Sequence, residues 1–311
     1  MTDTLETERA SARSGGPGGA GPARGARATG TPLPWWLRRS AVTSLCAIAG
    51  IYTLLPLLWL LFAVTKTLPE LYSGNGFSPS SGFHVLENVR DLFAADGGRF
   101  GRWMLNTAVY AVGGAFAATL LSVAAGYAFD KFPFRGKEKW YALVIAGVLI
   151  PNTAIVIPLY LMMANLQLTD TMWSVFIPLI VNPFGVYLAR AYSAGAIPDE
   201  LLEAARIDGA GEVRTFFSVG LRMMAPGALT IFLLQFIGIW NNFFLPMVML
   251  TDNDLFTVAQ GLFTWNSAVS QNPDYTRLVV IGSAVTTIPL LLLFIPLQRR
   301  WRAGLAEGGV K

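Results

Sequence analysis

The stretch LLEAARIDGAGEVRTFF, residues 201–217, looks like two short soluble helices joined by a glycine turn. It lies between two long apolar segments of a 311-residue chain that is 53% hydrophobic and only 14% charged. Soluble domains carry about 25% charged residues. This deficit predicts an integral membrane protein in which the polar helix pair joins two membrane-crossing helices.

Uncharged apolar segments predict where the chain crosses the membrane. A helix needs about 20 apolar residues to span the hydrocarbon core. Because the third segment contains Pro151 and Pro158, we place its span at 140–163 with a kink. The fourth segment also contains prolines, so its ends are less sharply defined. We expect an all-α integral membrane protein with six transmembrane helices in a domain at residues 35–300. The six segments are 41–65, 103–129, 140–169, 171–189, 223–251 and 278–298.

Three further segments lie outside or between these spans. Residues 1–34 are rich in Gly, Ala, Arg, Pro and Ser and predict a disordered tail. Residues 301–311 form a second tail. The loop at 66–102 is long enough for a short helix near HVLENVRDLFAA, which we expect either to contact an external binding protein or to cap the membrane surface.

Lysine and arginine predict the orientation of the chain. With the N-terminus inside, the inside segments hold 18 of the 23 basic residues. Because basic residues collect on the cytoplasmic side, we expect a multi-pass protein of the cell membrane with both termini cytoplasmic. The same rule explains the net charge of +4 without a nucleic-acid partner.

The segment at 198–217, called the elbow below, has a clear physical logic. Pro198 and two acids favour a helix start, and Gly209 can take the positive φ of a turn. We expect a rigid cytoplasmic knob suited to a groove in another protein. A solvated surface loop is the alternative interpretation.

The elbow resembles the EAA loop of binding-protein-dependent ABC transporter permeases, whose pattern is E-A-A-x3-G-x9-I-x-L-P. Glu203, Ala204 and Ala205 match its first part, and Gly209 follows at the right spacing. Val219 and Leu221 take the Ile and Leu positions. Arg222 stands where the pattern has proline, and a proline follows only at Pro226.

Other stretches extend the resemblance over roughly residues 45–300, and maltose-type carbohydrate permeases, on the side of the smaller six-span subunit, are the most similar group. These stretches are LLPLLWLLFAVTKT, NTAVYAV, AGYAFDKFPFRGK, LIPNTAIVIPLY, IPDELLEAARIDGAG and WNNFFLPMVML.

The resemblance implies that the loop at 193–220 carries a coupling helix that sits in a cleft of an ATPase subunit. Glu203 would contact that subunit beside Asp208, Ala204 and Ala205 would permit close approach, and Gly209 would make the turn. The implied partners are a second related permease subunit, two ATP-binding subunits, an extracytoplasmic solute-binding protein and membrane lipid. ATP would be bound by the partners, and no cofactor is expected in this chain.

Catalytic signatures are missing from the sequence. It contains no phosphate-binding G-x-x-x-x-G-K-[ST] loop, one histidine, His84, and one cysteine, Cys46. Neither residue has matching catalytic or metal-binding neighbours, so we expect no enzyme and no metal site.

Uncharged polar residues inside the predicted spans are the candidate solute pathway. The spans hold no ionisable residue, which argues against an ion-coupled carrier and leaves the energy source to a partner. Asn152, Asn182, Trp240 and Asn241 would suit a neutral, hydroxyl-rich solute, although amides also bond helices to one another. We therefore expect an ATP-driven sugar importer subunit. Another polar solute, such as a polyol or glycerol phosphate, and a self-sufficient channel or carrier are the alternatives, which the ATP dependence of uptake would separate.

Overall fold

The computed structural model describes residues 35–308, and every regular element in that range is helical, which confirms the all-α class. The predicted disordered tail at 1–34 lies outside the described residues. The chain divides into two compact units at residues 53 and 54, inside the first helix. The helices are α1 (Trp35–Ala63), α2 (Leu68–Ser73), α3 (Val85–Ala94), α4 (Arg99–Lys131), α5 (Lys137–Leu149), α6 (Asn152–Asn165), α7 (Met172–Leu179), α8 (Pro183–Ala196), α9 (Asp199–Ile207), α10 (Glu212–Thr215), α11 (Leu221–Met223), α12 (Ala225–Trp240), α13 (Phe244–Met249), α14 (Val258–Ser267) and α15 (Asp274–Gly308).

Four helical stretches of the described chain are long and apolar enough to cross a membrane, by length and composition. They are Arg39–Ala63, Arg99–Lys131, Met172–Ala196 and Asp274–Ile295. Two bent pairs qualify when each pair is taken as one crossing: α5 with α6, and Glu212–Met223 with α12. Counted in that way, the described residues hold up to six crossings, the number predicted from the sequence.

The third predicted span is bent much more sharply than the proline kink that we expected. Its halves, α5 and α6, meet at 104° across Ile150 and Pro151. Pro151 lies just before the first residue of α6, where its missing N–H costs no helical hydrogen bond. Pro158 lies inside α6 without interrupting it.

The fourth and fifth predicted spans are also interrupted. In the fourth, α8 starts afresh at Pro183, and the Asn182 side chain caps it by accepting a hydrogen bond from the Gly185 amide at 3.0 Å. In the fifth, α12 ends at Trp240, and the Asn242 side chain accepts from the Leu245 amide at 3.3 Å as α13 begins. The asparagine side chain replaces a helical hydrogen bond in this way. A prediction based only on the length of uncharged apolar segments does not detect such breaks.

Helix α4 is the central element, packed closely against α8 and α12. A Cβ atom added to Gly126 would lie 2.4 Å from the Cβ of Ala189 and 2.6 Å from the Arg190 amide nitrogen. Only glycine therefore permits this approach between α4 and α8.

The segment between α1 and α4 contains the predicted short helix, which is α3. Side-chain hydrogen bonds hold this segment in place. Asn88 of α3 donates its side-chain amide to the carbonyl oxygens of Val64 at 2.8 Å and Lys66 at 3.1 Å. Arg277 at the start of α15 donates to the Asn88 side-chain oxygen at 3.0 Å. At the other end of α15, the helix continues to Gly308 through most of the predicted tail at 301–311.

Candidate functional sites at an elbow and a cavity

The elbow is two helices, α9 and α10, joined by a tight glycine turn. Gly209 has φ +77°, the left-handed conformation expected for it from the sequence. The Ala210 amide donates to the Ala205 carbonyl at 3.0 Å and the Gly209 amide to the Arg206 carbonyl at 3.0 Å. These two bonds form a Schellman motif, which ends α9 and satisfies carbonyl groups that a helix end leaves open.

An exposed ion pair joins the two arms of the turn. Arg206 Nε donates to Glu212 Oε1 at 2.8 Å, so the last turn of α9 is joined to the first turn of α10. This hydrogen bond to Glu212 is the main cause that raises the pKa of Arg206 above its ordinary value. The pair bridges the glycine, while the two backbone hydrogen bonds define the conformation of the turn.

The predicted contact residues of the elbow lie at the surface. Glu203, Ala204, Asp208 and Gly209 are exposed, and Ala205 is half-buried. The elbow also displays large apolar side chains that the sequence analysis did not single out. The most exposed are Ile207 at 86% and Val213 at 73%. An apolar residue on the polar side of an amphipathic helix was the available signal, because exposed apolar side chains mark a contact surface where they form a patch.

The inner face of the elbow is anchored in a buried cluster. Leu202 of α9 is 3% exposed and belongs to a core that includes Tyr127, Ile197 and Met224. The Tyr127 ring also lies 5.1 Å from the ring of Phe216, centroid to centroid. Both arms of the elbow therefore contact the body of the protein through apolar packing.

The second site is a cavity of about 500 Å³ where the three helix breaks meet. No residue that lines it carries a charge. The lining comes from α5, α6, α7, α8, α12 and α13 and the breaks between them: Gly147, Val148, Asn152, Thr153, Ile155, Val156, Leu159, Pro178, Leu179, Val181, Asn182, Pro183, Phe184, Gln235, Gly238, Ile239, Asn242, Phe244 and Leu245.

Four side-chain amides supply most of the polarity of the cavity wall. Asn152 and Asn182 were predicted, and Gln235 and Asn242 join them in the lining. Gln235 donates its amide to the Leu179 carbonyl at 2.9 Å, next to the break between α7 and α8. The amide thus satisfies a carbonyl close to the break and holds α12 against α7.

Trp240 and Asn241 do not belong to the lining of this cavity. Trp240 is 4% exposed and stacks on Phe236 with ring centroids 5.5 Å apart. Its indole N–H is buried with no hydrogen-bond partner among the described residues. Asn241 is exposed, and its side chain donates to the Ile237 carbonyl at 2.9 Å.

Broken helices around an uncharged polar cavity are typical of transport proteins, because irregular backbone at membrane depth is tolerated where it lines a cavity or is buried in protein. The family model described as "Binding-protein-dependent transport system inner membrane component" matches residues 118–303, which include both the elbow and the cavity. The chain belongs to this family. It is the permease subunit of an ABC importer, a multi-pass component of the inner membrane that acts in a complex with other subunits, and it is not an enzyme.

Individual relatives place the permease among those of the carbohydrate uptake type. It is 35% identical over 285 residues to the arabinooligosaccharides transport system permease protein AraQ of Halalkalibacterium halodurans, covering 90% of this chain and 98% of the relative. It is 29% identical over 268 residues to the lactose transport system permease protein LacG of Rhizobium radiobacter, covering 86% and 94%.

A solved structure has the same fold. A chain of a bacterial ABC transporter involved in the import of the acidic polysaccharide alginate superposes with a TM-score of 0.73 at 23% identity. The match covers 85% of this permease and 96% of that chain.

Proposed function

We propose that this permease forms half of a translocation pathway for a neutral sugar, a mono-, di- or oligosaccharide, and that the cavity is its solute-contacting surface. The observation that carries this proposal is the convergence of three helix breaks on one uncharged, amide-bearing cavity. Its volume of about 500 Å³ lies within the usual range of ligand pockets. Amide groups both donate and accept hydrogen bonds, as sugar hydroxyls require.

The charge of the lining favours a sugar over glycerol phosphate. A phosphate group is doubly charged and is normally met by arginine or lysine. None of the residues that line the cavity is basic. Two relatives are named for sugars, arabinooligosaccharides and lactose, whereas UgpE of Escherichia coli, 27% identical over 278 residues, is named for sn-glycerol-3-phosphate, so the choice rests on the charge of the lining.

The elbow is proposed as the contact to an ATP-binding subunit. Glu203, Ala204, Ala205, Asp208 and Gly209 provide a small-residue surface with a charged rim, beside the exposed apolar side chain of Ile207. The remaining proposed partners are a second related permease subunit, a second ATP-binding subunit and an extracytoplasmic solute-binding protein.

This assignment requires the elbow and both termini to lie in the cytoplasm, which labelling can test. Phe83 and Ile207 are 82% and 86% exposed and lie on opposite sides of the predicted topology. In a Cys46→Ser background, Phe83→Cys should react with an impermeant maleimide in intact cells. Ile207→Cys should react only after permeabilisation, and the reverse pattern would reject the orientation.

Solute choice is tested by uptake into vesicles that contain the complete importer. We expect ATP-dependent uptake of an arabinooligosaccharide or lactose and none of glycerol 3-phosphate. Asn152→Ala, in the cavity wall, should lower sugar uptake, while Asn266→Ala, which changes an exposed amide on α14, should not. Uptake without ATP, or of glycerol 3-phosphate alone, would contradict the proposal.

A further inference from the structure

Two consecutive residues at the end of α4, Asp130 and Lys131, form a polar junction beneath the elbow. The Lys131 side chain is only 7% exposed. Its ammonium group donates to the Ile197 carbonyl at 2.7 Å and to Asp199 Oδ1 at 2.7 Å. Lys131 thus holds both the segment that leads into the elbow and the first residue of α9.

Asp130 extends the junction to two further helices. Its Oδ2 atom accepts from the hydroxyl of Ser193, a fully buried residue in the last turn of α8, at 2.7 Å. Its carbonyl oxygen accepts from Lys137 Nζ at 3.0 Å, at the start of α5. Asp130 Oδ2 also lies 3.3 Å from Lys131 Nζ, so the two residues form one network.

The burial of the two charges in the Lys131–Asp199 pair is unequal. The Asp199 side chain is 79% exposed, whereas the Lys131 side chain is only 7% exposed. An exposed ion pair contributes little, but a buried charge without its partners is strongly unfavourable. Separating the elbow from α4 would therefore break two hydrogen bonds of a side chain that is largely enclosed.

Helix α4 continues from this junction to the cavity wall. Ser122, two turns earlier, donates to the carbonyl of Asn182 at 3.4 Å, and Asn182 lines the cavity. Gly114, further along, lies against Ile239, another lining residue: a Cβ on this glycine would be 3.0 Å from Ile239 Cδ1. The helix that holds the elbow at one end therefore contacts the cavity lining along its length.

We propose that Lys131 is a positioning residue of the transport cycle, a latch that makes the elbow and α4 move together. The inference rests on the proposed function of the elbow as the contact to an ATP-binding subunit. It adds a polar contact, beside the apolar packing on Tyr127, through which movement of the elbow reaches the helix behind the cavity. Without the latch, the elbow still docks, but its displacement is partly absorbed at the junction.

The test measures docking and coupling separately on the complete importer in vesicles. Lys131→Met removes the ammonium group, and Lys139→Met is the matched control, since Lys139 is an exposed lysine of α5. We expect Lys131→Met to retain co-purification of the ATP-binding subunit and ATP hydrolysis. The number of lactose or arabinooligosaccharide molecules imported per ATP should fall about threefold or more. Lys139→Met should match the wild type.

Two further variants make the outcome decisive. Asp199→Asn weakens the bond between Lys131 and residue 199 from an exposed position, and it should also lower the ratio of sugar molecules imported per ATP. This variant tests the latch if Lys131→Met does not fold. Lys131→Arg keeps a donor cation and should recover part of the ratio. An unchanged ratio in Asp199→Asn, or an equal fall in Lys139→Met, would overturn the latch.

The proposed role of the elbow fails by a different result. Glu203→Lys changes the outer face of α9 and should reduce co-purification of the ATP-binding subunit. If Glu203→Lys has no effect on co-purification, the docking role is rejected. If Glu203→Lys loses docking while Asp199→Asn keeps the wild-type ratio, only the latch is rejected.

Discussion

All residues of the elbow come from one run of the chain, whereas the wall of the cavity comes from six helices and the breaks between them. Residues 198–217 contain the helix start, the glycine, the ion pair and the exposed face of the elbow. In the cavity, Gly147 and Leu245 face the same space from positions 98 residues apart. A short sequence motif can therefore encode a surface contact, whereas a solute-contacting surface depends on the whole fold.

This difference separates two kinds of damage. Substitutions in the elbow should affect the contact with a partner and leave the helices of the body in place. Substitutions in the cavity should leave the partner contact intact and change what is transported. The four predictions below use this separation, from the largest expected effect to the smallest.

The largest effect is expected at the glycine turn. Gly209 has φ +77° with no atom within 4 Å of an added Cβ, so any penalty comes from backbone conformation rather than from crowding. Gly209→Val should cost about 1–2 kcal/mol in the elbow, weaken binding of the ATP-binding subunit and abolish uptake. Gly209→Asn should retain most of both, because asparagine tolerates this conformation. Co-purification and uptake measure the result, and equal behaviour of the two variants would contradict it.

A smaller and different effect is expected at Gln235. Gln235→Leu removes the hydrogen bond to the Leu179 carbonyl and one amide of the cavity wall. Interhelical bonds of this type contribute on average about 0.6 kcal/mol, so the subunit should still assemble. Sugar uptake should fall severalfold while ATP-binding-subunit co-purification remains at the wild-type level. Loss of co-purification would show that cavity and elbow are not separable.

Trp240 and Asn241 test how far the solute pathway extends. Trp240→Phe removes an indole N–H that is buried without a partner, so it should leave uptake unchanged and slightly raise thermal stability. Asn241→Ala alters an exposed amide beyond the cavity lining. Reduced uptake with normal assembly would extend the pathway to that surface, and uptake kinetics like those of the wild type would confine the pathway to the cavity.

The smallest effect concerns pH at the base of the elbow. The hydrogen bond from Lys131 and its charge hold the pKa of Asp199 below its ordinary value. Its contribution to stability is therefore complete above the unfolded pKa of about 3.9 and is lost as the pH falls toward the lowered pKa of the folded state. Thermal melts of wild type and Asp199→Asn should differ at pH 7 and pH 5 and converge only under stronger acid. Convergence already at pH 6 would contradict this assignment.

The sequence predicted the elbow more completely than the cavity for a physical reason. The positive φ of Gly209 follows from glycine next to Asp208 at a helix end, and helix α9 follows from Pro198 and its acids, all local properties. The assignment to membrane proteins is also a local property, because it follows from uncharged segments of about 20 residues.

The cavity depends on contacts that local patterns do not contain. Asn182 and Asn242 look alike in the sequence as amides in apolar segments, yet each accepts a hydrogen bond from an amide in the first turn of a new helix at a break. Gln235 becomes important because it reaches the Leu179 carbonyl, 56 residues away in the chain. Likewise, Lys131 is one basic residue among several at the end of a span, and its enclosure is visible only when α8 and α9 are in place.

The close contact at Gly126 has a mechanical consequence. Because the backbone of α8 lies against α4 at this glycine, neither helix can slide along the other by a turn without collision. A tilt of α8 that keeps this contact would therefore carry α4 with it. The cavity residues Pro183 and Phe184 begin α8, and the elbow follows its last turn. A helix of 14 residues is about 21 Å long. A tilt of α8 at the elbow therefore also displaces its other end, at the cavity.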